Sequence, residues 1–211
     1  MGWLLLLWGL ALLGVVLLLV AILWSLRRRR DVTLRIAGDE GIAHLLPSLA
    51  GLTLGQVVPG NAVELLENGR YFDVLLERIA AARHSVHFET FLWKDGAIGR
   101  RLADALTKQA RAGRQVRVLL DANGCREIGE ATLRQMRAAG CRVELFHEGS
   151  WRNIGLLNDR DHRKLVVIDG REAFVGGHCV VDTWLGDAED GLHNAGLGLR
   201  VRGPIVATLQ A

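Results

Sequence analysis

From Gly2 to Leu26 the chain carries no charged side chain and one hydroxyl, Ser25; the rest is Met-free and built of Leu, Val, Ala, Ile, Gly and Trp. Such a run has few ways to be stable. In hydrocarbon every backbone N–H and C=O must be satisfied within the segment, which a helix does. About 20 apolar residues are enough to cross a bilayer core. A cleaved secretory signal is the alternative, and it wants a positive n-region and a small-residue cleavage site. No Lys or Arg precedes this run and no such site comes after it. Residues 2–26 therefore read as a retained transmembrane anchor. Arg27–Arg30 come next, and a cluster of that sign stays on the cytoplasmic side. The expected topology is single-pass, with the globular part cytoplasmic. Trp3, Trp8 and Trp24 lie near the ends of the run and suit the membrane interfaces. The arginines first set topology; contact with anionic headgroups is a second use.

Composition narrows the possibilities for the chain beyond the anchor. There are 26 Lys+Arg against 23 Asp+Glu. Setting aside the four arginines of the cluster leaves 22 against 23, so the soluble part is near neutral. A nucleic-acid partner wants a basic domain or stripe and is disfavoured. Arg100, Arg101, Lys108, Arg111, Arg114 and Arg117 form a local basic stretch, which reads as a solvated helix face. Cys125, Cys141 and Cys179 are odd in number and lack C-x-x-C spacing. Neither a disulfide framework nor a zinc site is indicated, and free thiols agree with a cytoplasmic domain.

Residues 27–59 read as the basic cluster and a linker with some local structure. From residue 60 strands and helices alternate. Val63–Leu66 is a short strand closed by the turn pair Asn68-Gly69. Tyr71–Ala82 has helical spacing, with Phe72, Leu75, Leu76 and Ile79 on one face. Ser85–Leu92, Val116–Leu120, Val143–Phe146, Ala173–Val175 and Leu197–Val201 read as strands. Ile98–Ala112 and Glu130–Ala139 read as helices ended by Gly113 and Gly140. Pro204 suits the first turn of a helix starting near Ile205. The expected fold class is α/β, one lobe with a mixed central sheet flanked by helices, whose ligands gather at the carboxyl ends of strands.

One segment stands out in that lobe: His162-Arg163-Lys164-Leu165-Val166-Val167-Ile168-Asp169, then Gly176-Gly177. This is H-x-K-x4-D with a downstream glycine pair. Residues i and i+2 of an extended strand share a face, so His162 and Lys164 converge and can meet one phosphate. Val166 and Ile168 continue that face; Leu165 and Val167 make the other apolar. Asp169 has the opposite parity and sits in an Asp-Gly turn, which gives it a turn role ahead of a chemical one. Gly176 and Gly177 permit close approach to a phosphate oxygen, and serve equally as a tight strand end. Glu89 falls near the end of its strand and reads first as a solvated carboxylate.

The segment resembles the HKD motif of the phospholipase D superfamily, and the surrounding sequence is similar to bacterial cardiolipin synthases. The likeness is carried by Gly60-Asn61-Ala62-Val63-Glu64-Leu65-Leu66, by Phe88-Glu89-Thr90-Phe91-Leu92-Trp93-Lys94-Asp95, by Ile98-Gly99-Arg100-Arg101-Leu102 and by Arg200-Val201-Arg202-Gly203-Pro204. It runs over residues 60–211. The resemblance implies phosphatidyl transfer through a phosphohistidine. One HKD histidine attacks phosphorus and a second, from another HKD motif, protonates the leaving alcohol. His162 maps onto the nucleophile or acid, Lys164 onto the phosphate clamp, and Asp169 completes the motif. Gly176, Gly177 and the position of Cys179 map onto phosphate binding. No metal or cofactor is implied, since cationic side chains stabilise the phosphoryl charge. The implied substrate is a phosphatidylglycerol-like lipid, and the implied place is the bacterial cell membrane.

Two positions depart from the family pattern. Cys179 stands where the family has an asparagine that contacts phosphate, and a thiol is a poor partner for a phosphate oxygen. The stretch His193–Gly198 holds no carboxylate where related synthases place one to orient the histidine; Asp190 lies upstream, and Asp161 precedes His162. There is also one HKD motif where cardiolipin-making relatives carry two. Truncation is the first reading, because the chain stops early in a helix. Completion by a homodimer and a degenerate membrane-anchored module are the others, as is a phosphodiesterase or nuclease of the same fold.

Overall fold

The computed structural model describes residues 2–28, 41–147 and 160–210. It divides into two compact units, Met1–Gly55 and Gln56–Ala211.

In the first unit, α1 spans Gly2–Arg28, 27 residues. Its stretch Gly2–Ser25 is long and apolar enough to cross a membrane. Arg27 and Arg28 lie in its last turn, and Arg29 and Arg30 fall outside the described residues. The segment expected as linker contains a second helix, α2 (Ile42–Thr53). Pro47 and Gly51 obscured it in the sequence, although Leu45, Leu46, Leu49 and Leu52 recur at helical spacing. Leu54 ends it in the left-handed conformation (φ 52°), its N–H donating to the Ala50 carbonyl.

The second unit is built on seven strands. They are β1 (Ala62–Glu67), β2 (Ser85–Thr90), β3 (Gln115–Asp121), β4 (Arg142–Phe146), β5 (Lys164–Ile168), β6 (Glu172–Gly176) and β7 (Leu197–Arg202). They form one sheet in the order β1-β7-β6-β5-β2-β3-β4. β2, β3 and β4 pair parallel. The pairs β2–β5, β5–β6, β6–β7 and β7–β1 are antiparallel. Helices α3 (Arg70–Ala80), α4 (Ala97–Arg111) and α5 (Glu130–Ala138) cover one face, and α6 (Ile205–Gln210) covers part of the other. The period-2 alternation of the strands sends Val86, Phe88, Val116, Val118, Val166 and Ile168 to the main core. Leu165, Val167 and Ala173 meet Val206 of α6 in a smaller core. Asn68-Gly69 leads from β1 into α3 rather than forming a hairpin. Asn68 donates its N–H to the Gly196 carbonyl, and its side-chain oxygen accepts from the Gly196 N–H.

Two blocks at the ends of the lobe interlock. Arg200 on β7 pairs with Glu172 on β6 (Nε–Oε2 2.7 Å) and with Glu64 on β1 (Nη1–Oε2 3.1 Å). Arg78 of α3 takes the other Glu172 oxygen (2.7 Å). Glu172 is buried, and a buried carboxylate is tolerated when fully paired in this way. The Asn61 side-chain oxygen accepts from the Ile205 N–H at 3.0 Å and caps the start of α6.

Tyr71 crosses close over β7. A Cβ on Gly198 would lie 2.2 Å from its ring, whereas a Cβ on Gly177 would meet nothing within 4 Å. The Tyr71 ring is held edge-on by Phe72 and Phe174 and stacked on His178, so it has little room to yield. Gly198→Ala is expected to cost about 2 kcal/mol or more by overpacking, and Gly177→Ala less than about 0.5 kcal/mol. Urea unfolding of both variants checks this; equal stabilities would show that Tyr71 moves aside freely.

Candidate active site

β5 opens on Lys164, which pairs with Thr90 at the end of β2. His162 lies two residues earlier, just outside the ladder rather than within the strand, and is exposed. The two side chains still converge. Lys164 Nζ sits 3.5 Å from His162 Nε2 and donates to the His162 carbonyl at 3.0 Å. Phe91 backs both: its ring centroid is 4.5 Å from that of His162 and 5.2 Å from Lys164 Nζ. The result is a solvent-facing imidazole with an ammonium beside it, held on an aromatic plate.

The residues that aim this segment come from β2 and β3. Asp121, buried at the end of β3, accepts from the Asp161 N–H (Oδ2, 3.1 Å) and from Arg160 (Nη1 to Oδ1, 3.1 Å). The same carboxylate accepts from Asn123 and Gly124 in its own turn. Asp161 is itself buried, and its Oδ1 accepts from the Arg163 N–H at 3.2 Å. Arg163 turns its guanidinium to Glu89 (3.3 Å). Glu89 is no solvated carboxylate: its side chain is 14% exposed. Burial first, and then the neighbouring Asp161 carboxyl, push the Glu89 pKa up to about 7, against the pull of Arg163. Two acids packed together cannot both ionise cheaply, so Glu89 holds a proton into the neutral range. Asp121 escaped the sequence reading. Its only signal was an acid at the end of a buried strand before Asn123-Gly124.

Cys179 is brought near Lys164, whose charge lowers its thiol pKa against the larger upward push of burial. The segment carrying it is tied to the end of β2 by two bonds, Val180 N–H to the Leu92 carbonyl and Lys94 N–H to the Val180 carbonyl, both 3.0 Å. Gly176 is constrained by β7, not by open space: its Cβ would lie 2.9 Å from Gly198 Cα. Gly177 has open space around it. His178 points the other way, buried against Tyr71 (4.4 Å between centroids, nearly parallel) and Trp184, and burial lowers its pKa. Asp190 serves its own turn, accepting from the Leu192 and His193 N–H groups and contacting His193 Nδ1 at 2.7 Å. Among the described residues no carboxylate hydrogen-bonds the His162 ring, and no three His, Cys, Asp or Glu side chains group as a metal site.

Asp169 stands at the far end of β5, roughly 20 Å from His162 along an extended chain. With Gly170 it forms the left-handed pair (φ 54° and 62°) of the β5–β6 hairpin. Its carboxylate accepts from the backbone N–H groups of Arg83 (2.9 Å), His84 (2.7 Å) and Ser85 (2.9 Å). Partial burial works to raise its pKa, but the Ser85, Arg83 and His84 bonds more than offset that and hold it below the usual carboxylate range.

Comparison with known proteins bears on the family and the fold. The family described as Cardiolipin synthase, PLD-like domain matches residues 75–180. The major cardiolipin synthase ClsA of Bacillus subtilis is 41% identical over 128 residues, covering 60% of this chain and 27% of that protein. Cardiolipin synthase A of Pseudomonas aeruginosa is 35% identical over 178 residues, covering 83% and 36%. This chain thus spans about a third of the length of the curated relatives it matches. Among solved structures, the phospholipase D family member Nuc from Salmonella typhimurium superimposes with a TM-score of 0.54 at 13% identity, over 72% of this chain and 90% of that one. NucT from Helicobacter pylori gives 0.53 at 16%, over 72% and 91%. At such identities these two establish the fold.

Two outcomes are expected of the site. Asp169→Asn should lower stability by about 1–2 kcal/mol, since it replaces an acceptor with a donor before three N–H groups. A depressed carboxyl contributes fully at neutral pH and loses its contribution as pH falls below its ordinary value of 3.8. Melting curves at pH 7 and pH 3 should differ less in the variant than in the parent. Glu89→Gln tests the opposite sign. A carboxyl whose pKa is raised from 4.5 to about 7 favours the fold below 4.5 and loses that contribution as pH rises through 7. The parent should therefore lose a few degrees of Tm relative to Glu89→Gln between pH 5 and pH 8. Parallel curves would mean that Glu89 ionises normally.

Proposed function

The chain belongs to the cardiolipin synthase, PLD-like domain family, and from that premise we propose that its globular unit is one lobe of a two-histidine phosphatidyl-transfer site. The observation that carries the reading is the placement of Lys164 Nζ 3.5 Å from His162 Nε2 on the Phe91 ring. A phosphodiester oxygen bound by Lys164 puts phosphorus within reach of the imidazole. His162 Nε2 attacks, the bond from phosphorus to the leaving glycerol oxygen breaks, and a histidine of the second lobe gives that oxygen its proton. A lipid hydroxyl then attacks the phosphohistidine, gives its proton to the second histidine, and the P–N bond breaks. The proposed donor is a phosphatidylglycerol-like lipid in the cell membrane; α1 and the charge of Arg27–Arg30 support a cytoplasmic lobe anchored beside it. The second lobe comes from another polypeptide segment or a second copy.

A slower variant of this chemistry is the second reading. It rests on Cys179 at the phosphate position and on the absence, among the described residues, of a carboxylate bonded to His162.

The test uses the full chain reconstituted with phosphatidylglycerol and a partner lobe that supplies the second histidine. His162→Ala should abolish transfer, and Lys164→Ala should lower it about 10²-fold or more through lost charge compensation. Cys179→Asn should preserve or raise the rate. Wild-type turnover by His162→Ala would remove the nucleophile assignment, and with it the reading.

A further inference from the structure

Between Gly41 and Val63 the chain contains no Asp, Glu, Lys or Arg, although 23% of its residues are charged, which would place about five in such a stretch. Within it α2 runs from Ile42 to Thr53. At 100° per residue Leu45, Leu46, Leu49 and Leu52 occupy one arc of that helix, and His44, Ser48 and Gly51 the other. Leu45 is half-buried, but the other three are exposed: Leu46 40%, Leu49 38% and Leu52 57%. Leu54 is 93% exposed and holds the left-handed cap position, where glycine or asparagine would sit without strain. A row of exposed leucines with no charge among them is the kind of surface that soluble proteins cover.

We propose that α2 lies in the membrane interface, its leucine face in the upper acyl region and its His44–Ser48 face among the headgroups. Three observations select a lipid surface as the occupant. The first is the tether. Only residues 29–40 separate α1 from Gly41, a reach of at most about 45 Å, so an embedded α1 keeps α2 at high effective concentration beside the bilayer. The second is depth. Twelve residues make a helix of about 18 Å, too short for a hydrocarbon core of about 30 Å. Pro47 has no N–H to give the Ala43 carbonyl; hydrocarbon would leave that oxygen unsatisfied, and the hydrated headgroup layer does not. The third is charge. With no cation on α2, attraction comes from apolar burial alone, so binding does not depend on anionic lipid. The inference requires α1 in the bilayer and is independent of the phosphatidyl-transfer reading.

The test places an environment-sensitive fluorophore on single introduced cysteines of the full chain in phosphatidylcholine vesicles; the native Cys125, Cys141 and Cys179 are buried, and the unsubstituted chain gives the background. Leu49→Cys and Leu52→Cys labels should lose about half their emission or more when the lipids are brominated high on the acyl chains, while a Ser48→Cys label should instead be quenched by aqueous iodide. Exchanging a third of the lipid for phosphatidylglycerol should leave the pattern unchanged. A Leu17→Cys label on α1 reports insertion. Iodide access at Leu49 equal to that at Ser48 would overturn the proposal. So would shielding of Leu49 from both quenchers, which means a protein occupant, or an unquenched Leu17 label, which removes the anchor. No activity is measured, so failure of the catalytic reading leaves these outcomes unaffected.

Discussion

Strand β2 is the seam between two kinds of sheet. On one side it pairs parallel with β3, on the other antiparallel with β5. Everything the site needs hangs on the second pairing and its register. Thr90 opposite Lys164 puts the lysine at the mouth of the sheet, next to Phe91 and below His162. A slip of one residue would invert every side chain of β5. Val166 and Ile168 would leave the main core, and Lys164 would point toward the face that α6 covers. Apolar burial on both faces of β5 forbids that slip. Asp169 enforces the same register from the far end by binding the turn that starts β2.

The His162 segment is therefore aimed by groups bonded to its neighbours rather than to its own ring. Asp121 fixes the peptide of Asp161, Asp161 fixes that of Arg163, and Arg163 is drawn to Glu89. These carboxylates lie on β2, on β3 and on the segment before β5, so the His162 segment is held at the meeting of three strands. Their mutual repulsion is relieved by Arg160 and Arg163 and by a proton on Glu89. Such a network favours one geometry at some cost in stability.

Much of this was legible in the sequence, and the remainder was hidden for physical reasons. α3 announced itself by helical period, and β5 by a short apolar run buried on both faces. The i, i+2 spacing of His162 and Lys164 correctly implied convergence, even though His162 lies outside the ladder, and the Phe91 ring backs both side chains. The Asp-Gly pair at Asp169 betrayed its turn. α2 was masked by Pro47 and Gly51, whose propensities argue against a helix that the leucines nonetheless form. Glu89 was misread because solvation depends on the residues across the sheet: Leu165 opposite, Asp161 and Arg163 beyond. His178 drew no reading from its place between Gly177 and Cys179; Tyr71, more than 100 residues away in sequence, takes it into the aromatic core.

His162 is joined to the sheet by Lys164 but belongs to no ladder itself. Its peptide carries none of the cross-strand load, and its ring rests on Phe91 rather than being packed in. A histidine inside β5 would be packed by the two cores that hold Leu165, Val166, Val167 and Ile168. His162 instead takes its place from the bonded peptides on either side of it and from the ring beneath it.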